Sequence, residues 1–257
     1  MTTDRPARLA VYLINLDRAT ERLAHMTERL TAAGLEFERV PAVDGAALPD
    51  PTPGFSPASY ALLHGRRRYA PEIGCYFSHV ACARRLLDSD ATHALILEDD
   101  VAFDPDIRTV LDEALEVSDR WNLLRLSTVN DGRKFPVHRL PGGRHLAVAL
   151  TREKGAGAYV IDRRAAKWIT KRLMPMRLAW DIAFDLEYLA GLRALFVTPL
   201  PCDQRTEAVS QIQTGVKGSK LPRWRYLTVL PVRTWFELSR VTARGLLWVR
   251  LRLRMAG

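Results

Sequence analysis

The segment Ala94-Leu-Ile-Leu-Glu-Asp-Asp-Val101 constrains this chain more than any other, because it sets a short apolar run directly against three carboxylates. A run this short suits a strand buried on both faces, as in a parallel sheet, better than a helix. Three adjacent acids repel one another, so something positive is expected at this strand end. In open α/β sheets ligands sit beyond the carboxyl ends of strands. If the extended conformation continues, Glu98 and Asp100 point one way and Asp99 the other. An acid-x-acid pair of that kind can hold a hard divalent cation through oxygen ligands, and the cation can grip a diphosphate. The same residues also suit a solvated acidic turn that opens a helix, with Asp104 as N-cap and Pro105 at the first helical position.

A chain of 257 residues accommodates one large α/β domain with an appendage. Cys75, Cys82 and Cys202 are odd in number and unclustered, which indicates neither a disulfide framework nor a zinc site and makes a reducing compartment the expectation. Met1 to Ala10 lacks an apolar stretch, and no run approaches the roughly 18 apolar residues of a membrane span. A cytoplasmic protein is therefore expected. The formal charge of +9 is unevenly spread, since Lys217 to Gly257 carries ten basic residues against Glu237 alone while residues 1–216 balance. That asymmetry divides the chain into a body, residues 1–216, and a basic tail, residues 217–257, and points the tail toward an anionic surface.

Along the body, Leu9 to Ile14 is a second buried-strand pattern, ending at Asn15-Leu-Asp-Arg18. A helix follows, with Leu23, Met26, Leu30 and Ala33 at helical spacing and Gly34 as its stop signal. A strand, a polar turn and a helix N-terminus make a favourable place for phosphate, with Arg22 in the first turn, although Asp17 and Thr20 also suit plain capping. Leu35 to Val43 reads as a strand, Ala46 to Pro57 as a loop, and Arg66-Arg-Arg68 as a solvated face. Pro71 opens a helix running to about Leu87. Ser78 and His79 point about 100° apart on it, so adjacency does not make them nucleophile and base, and His79 reads as a packing residue.

Four motifs now stand in order: Val11-Tyr-Leu-Ile-Asn-Leu-Asp-Arg18 with Arg22, Val40-Pro-Ala-Val-Asp-Gly45, Glu72-Ile-Gly-Cys75 with Ser78-His79, and Leu95-Ile-Leu-Glu-Asp-Asp-Val101. In order and spacing they resemble the family 25 glycosyltransferases, which include lipopolysaccharide sugar transferases and collagen galactosyltransferases. The resemblance runs from about Ala10 to Gln213, where Gly155-Ala-Gly-Ala-Tyr-Val-Ile161, Asp181, Gln204 and Ser210 also fit, and it leaves out the Arg-rich tail. It implies a GT-A-like, Rossmann-type nucleotide-sugar fold and inverting transfer of a hexose, commonly galactose, from a UDP-sugar. It further implies Mn²⁺ or Mg²⁺ at Glu98 and Asp100, with Asn15, Arg18, Arg22 and Asp99 on the nucleotide. A cation at a strand end suits stabilisation of a leaving diphosphate.

Inverting transfer also needs a carboxylate that takes the acceptor's proton. Asp181, at the start of a helical pattern, is the candidate, with Asp185 and Asp203 as rivals and an N-cap as its structural reading. Gly155-Ala-Gly157 would let a sugar approach the backbone, or would simply be a bend. In the tail, a helix from Arg233 to Arg254 would put Arg233, Arg240 and Arg244 on one face and Trp235, Leu238, Leu246, Val249 and Leu253 opposite, with Leu247 and Leu251 breaking the separation. Tryptophans among arginines suit a membrane headgroup region, and no nucleic-acid module accompanies them. The expected protein is a metal-dependent transferase peripheral on the cytoplasmic face of a membrane, acting on lipopolysaccharide or another lipid-linked glycan. The alternatives are a catalytically inactive relative serving as a membrane or nucleic-acid binding protein, and a nucleotidyltransferase.

Overall fold

A computed structural model describes residues 7–130, 132–204 and 216–256. In chain order the elements are β1 (Leu9–Asn15), α1 (Thr20–Ala32), β2 (Glu38–Pro41), α2 (Pro57–His64), α3 (Ala70–Asp88), β3 (His93–Glu98), β4 (Ala102–Phe103), α4 (Ile107–Glu116), β5 (Leu123–Arg125), β6 (Lys134–Arg139), β7 (His145–Ala149), β8 (Ala158–Asp162), α5 (Arg163–Arg172), α6 (Trp180–Ala183), β9 (Ala194–Thr198), β10 (Cys202–Asp203) and α7 (Tyr226–Ala256). Eight strands form one sheet in the order β2-β1-β3-β8-β5-β9-β7-β6. It is mixed: β1 runs parallel to β2 and β3, and β5 to β9, while the pairings of β8 and β7 are antiparallel. The chain is α/β, as expected.

The apolar runs of β1 and β3 are explained by burial on both faces. Tyr12, Ile14 and Ile96 join a core with α3 and α5, whereas Val11, Leu13, Leu95 and Leu97 join a second core with α1 and α4. Alternation across the pleat therefore feeds two apolar layers, and neither face leaves room for polar residues. The segment 35–43 supplies a shorter strand than its pattern suggests, confined to Glu38–Pro41. Helix α4 begins at Ile107, not at Pro105, with Asp106 as its N-cap residue.

Because β1, β2 and β3 are parallel, their carboxyl ends lie side by side, with Ile14 opposite Glu98 and Asn15 opposite Pro41. The motifs that follow these strands are thus gathered at one edge. The turn after β2 interlocks with α3, where a Cβ on Gly74 would stand 2.4 Å from the carbonyl oxygen of Val43. Ser78 locks the same contact, accepting from the Val43 amide at 2.8 Å and donating to the Gly74 carbonyl at 2.8 Å.

Whether the tail packs on the body was open from sequence; α7 does pack on it. Val229, Arg240, Arg244 and Leu251 are buried. Leu251, with Leu247 partly buried beside it, joins the second core, so the two leucines that break the tail's separation of faces are ones that dock it. Arg244 donates to Asp185 at 2.9 Å and to both oxygens of Glu187 at 2.8 and 2.9 Å. Arg240 pairs with Asp185 at 2.8 Å. Among the described residues, no helix is long and apolar enough to cross a membrane.

Candidate active site

Strand β3 ends at Glu98, and the chain turns at once through Asp99 and Asp100, closed by the Val101 amide on the Glu98 carbonyl at 3.4 Å. The extended alternation that would align Glu98 with Asp100 therefore stops at Glu98. Each acid instead has its own environment.

Glu98 is held at both oxygens. Nε2 of His79 meets Oε1 at 3.0 Å, and the Gln204 amide donates to Oε2 at 3.1 Å. Gln204 reaches Glu98 by crossing the glycine turn, since a Cβ on Gly157 would collide with the Gln204 amide and one on Gly155 would lie 2.7 Å from its Oε1. In this structure the Gly155-Ala-Gly157 turn thus makes room for a protein side chain. Asp99 accepts from Asn15 Nδ2 at 2.7 Å and from Arg22 at 3.3 Å. Asn15 is buried and fully engaged: its amide also donates to the Ala19 carbonyl at 3.0 Å, and its Oδ1 accepts from Arg39 at 3.1 Å. It braces Asp99. Arg18 lies on the exposed side and pairs with Asp44.

Asp100 shows the electrostatic character of the cluster. Burial, reinforced by the charges of Glu98 and Asp99 and opposed by Arg22, pushes its carboxyl up to about 7. A site that resists a further negative charge favours a bound cation. Each Glu98 oxygen that accepts one hydrogen bond keeps a lone pair that a hard divalent ion could take.

His79 is the residue that sequence reasoning missed. It is buried, it stacks on Trp180 with ring centroids 4.7 Å apart and planes 4° apart, and its Nδ1 lies 3.0 Å from the Tyr159 hydroxyl. Cys75, one turn earlier on α3, completes a group in which Sγ, a His79 nitrogen and a Glu98 oxygen lie within 4.8 Å of one another. Four-residue spacing on a helix was the available signal, since it puts Cys75 and His79 on one face. Burial pushes the Cys75 thiol well up, and Glu98, Asp181, Glu72 and Asp100 add to the shift. The thiol sits where the fields of these carboxylates meet.

Asp181 is on this side of the molecule through Trp180, its neighbour in α6. The N-cap of α6 is Ala179, which removes the capping role for Asp181. Its side chain is one-third exposed and accepts from Arg152 at 2.7 Å. The rivals are placed elsewhere: Asp185 is fully buried in the arginine network under α7, and Asp203 is exposed in β10, paired with β4. Ser210 lies outside the described residues.

The model of Glycosyltransferase family 25 (LPS biosynthesis protein) matches residues 9–184. A "Glycosyltransferase 25 family member" of Anopheles gambiae is 35% identical over 192 residues, covering 68% of this chain and 31% of the mosquito protein. Human "Procollagen galactosyltransferase 2" is 28% identical over 150 residues, 54% of this chain and 24% of the human one. A bovine protein named "Probable inactive glycosyltransferase 25 family member 3" is 27% identical over 204 residues, 70% of this chain and 33% of its own. The chain thus spans about a third or less of the length of these curated relatives. The matched region takes in the first strand, the acidic turn after β3 and Asp181, and on that match the chain belongs to glycosyltransferase family 25.

Proposed function

We propose that this chain transfers a hexose, galactose in the first instance, from a UDP-sugar to a hydroxyl of a glycan acceptor with inversion at the anomeric carbon. The acceptor class is lipopolysaccharide or another lipid-linked glycan. The observation that carries the reading is the single unit formed by Glu98, His79 and Trp180, because it ties the acidic strand end to the segment bearing Asp181. Donor and acceptor chemistry can then meet at this strand end.

Asp181 takes the proton of the acceptor hydroxyl as that oxygen attacks the anomeric carbon and the bond to the diphosphate breaks. Arg152, donating to one oxygen of Asp181, orients the carboxylate. Glu98 and Asp100 would hold Mn²⁺ or Mg²⁺, which when bound neutralises charge on the leaving diphosphate. Arg22 adds a positive charge beside Asp99, and Asn15 holds that carboxylate in place. His79 and Gln204 fix Glu98, the kind of support that outer partners give to metal-binding groups.

A relative named inactive makes a binding protein the second reading. The presence of all three acids with their supporting partners favours catalysis. The deciding experiment incubates the protein with a panel of UDP-hexoses, a soluble glycan acceptor and Mn²⁺ or EDTA, and follows UDP and pyrophosphate. Release of UDP that depends on metal and acceptor is expected. Pyrophosphate release in a parallel incubation with UTP and a hexose 1-phosphate would indicate a nucleotidyltransferase, and no turnover with any donor would favour the binding protein.

A further inference from the structure

Helix α7 is amphipathic the wrong way round for a helix that simply covers a core. The face it turns to the body contains Arg240 and Arg244, 1% and 2% exposed, whereas Leu227, Trp235, Leu238, Leu246, Val249 and Leu253 are 44–79% exposed. At about 100° per residue those six fall within one arc of about 100°. From Leu227 to Leu253 the stripe is roughly 39 Å long at helical rise. Contiguous apolar surface of that extent on a soluble domain marks an interaction site. A groove of about 530 Å³ beside it, between α7 and the segment around Leu192, continues the apolar surface through Leu246, Leu247 and Leu253.

The surrounding charge identifies the occupant. Lys220 and Arg223 precede the stripe, and Arg250 and Arg252 close it; all four are exposed. The lone acid of the segment, Glu237, is taken by Arg240 at 2.6 Å. A second copy of this chain would bring like charges together. A nucleic acid would leave the leucines in water. Anionic lipid satisfies both features, with the leucines below the headgroups, the arginines among them, and Trp224 and Trp235 at the boundary where indoles prefer to lie.

We propose that the outer face of α7 is a docking surface for an anionic lipid bilayer, on which the protein lies without spanning it. The docking does not depend on the transfer chemistry proposed above. If that chemistry acts on a lipid-linked glycan, docking brings enzyme and acceptor to one surface.

The test uses the full chain and vesicles of phosphatidylcholine, alone or mixed with phosphatidylglycerol, with no donor present. Binding is read by cosedimentation and by the blue shift of tryptophan fluorescence, and self-association by analytical ultracentrifugation. Binding to the mixed vesicles is expected. The triple variant Leu227→Gln/Leu238→Gln/Leu253→Gln should weaken it by about tenfold or more while thermal unfolding and UDP release remain as in the parent. Arg250→Gln and Arg252→Gln should each weaken it by about fivefold, and only toward the anionic vesicles. Equal binding of parent and triple variant, or equal affinity for neutral and anionic vesicles, would overturn the proposal. So would a parent that ignores vesicles and sediments as a dimer which the triple variant dissolves, since the face would then belong to a second copy. Loss of transfer with vesicle binding intact would count against the enzymatic reading alone.

Discussion

The imidazole of His79 lies flat on the indole of Trp180, 4.7 Å between centroids, while its Nε2 contacts Glu98 at 3.0 Å. One ring thereby fixes the position of the strand-end carboxylate against the helix that carries Asp181. Replacing His79 with Ala should lower kcat/KM by about 10- to 100-fold through a poorly held Glu98. Titration of Mn²⁺ should show a weakened apparent metal affinity in the same variant. His79→Gln, which keeps one polar contact, should lose less.

Asp100→Asn should abolish transfer and metal-dependent UDP binding while leaving the fold intact. Because burial and two neighbouring acids already disfavour its charge, the melting temperature should be unchanged or raised. Calorimetric UDP titration and a circular dichroism melt check the two halves of this prediction. Full activity of the variant with Mn²⁺ present would remove Asp100 from the ligand set.

Asp181→Asn should leave donor binding near normal and lower turnover by about 10²- to 10⁴-fold, the usual contribution of a general base. Single-turnover kinetics beside equilibrium UDP-sugar binding separates the two effects. A fall in binding that tracks a fall in folded protein would instead make Asp181 a structural partner of Arg152.

Arg244→Leu should destabilise the domain by about 3–5 kcal/mol, because it strands the buried carboxylate of Glu187 without its counter-charge and takes from Asp185 one of the arginines that surround it. Urea unfolding followed by tryptophan fluorescence measures it. Replacing Arg250, which is exposed, should leave the midpoint in place.

Burial lowers the pKa of His93, which packs edge-on to Trp121, and nearby Asp162 only partly opposes the shift. The unfolded chain then takes up a proton that the native state refuses. Below about pH 6.5 the unfolded state binds more protons, so stability is lost on acidification and this contribution is absent at higher pH. NMR should place the His93 titration below 6.5, and His93→Gln should flatten the decline in the urea midpoint between neutral and mildly acidic pH.

Strands β1 and β3 were legible because both faces of each are buried, which leaves an unbroken apolar run, and α1 because its stripe and its stopping glycine agree. The edge strand β6 was not, since Lys134–Arg139 is mostly half-exposed and contains Pro136. At the candidate site, position after an apolar run is the local pattern that singles out the acids and Asn15. His79 gave no such sign, because a histidine on a helix looks the same whether it packs or holds a carboxylate 19 residues away. The partners of Arg244 were further out of reach, 57 and 59 residues back in the chain. Distance in sequence hides a buried ion pair, whereas local pattern reveals a strand.

The inward turn of Arg240 and Arg244 also changes what an approaching charge would feel. Two of the tail's cations are matched inside the molecule by Asp185 and Glu187, which sequence assigns to the neutral body. Viewed from solvent, the tail is less positive than its composition, and the rest of the exterior more positive by the same amount. The long-range field is therefore spread around the molecule more evenly than the +9 concentrated at one end of the chain suggests, and the salt dependence of binding to any polyanion should reflect the exposed cations rather than the full count of ten.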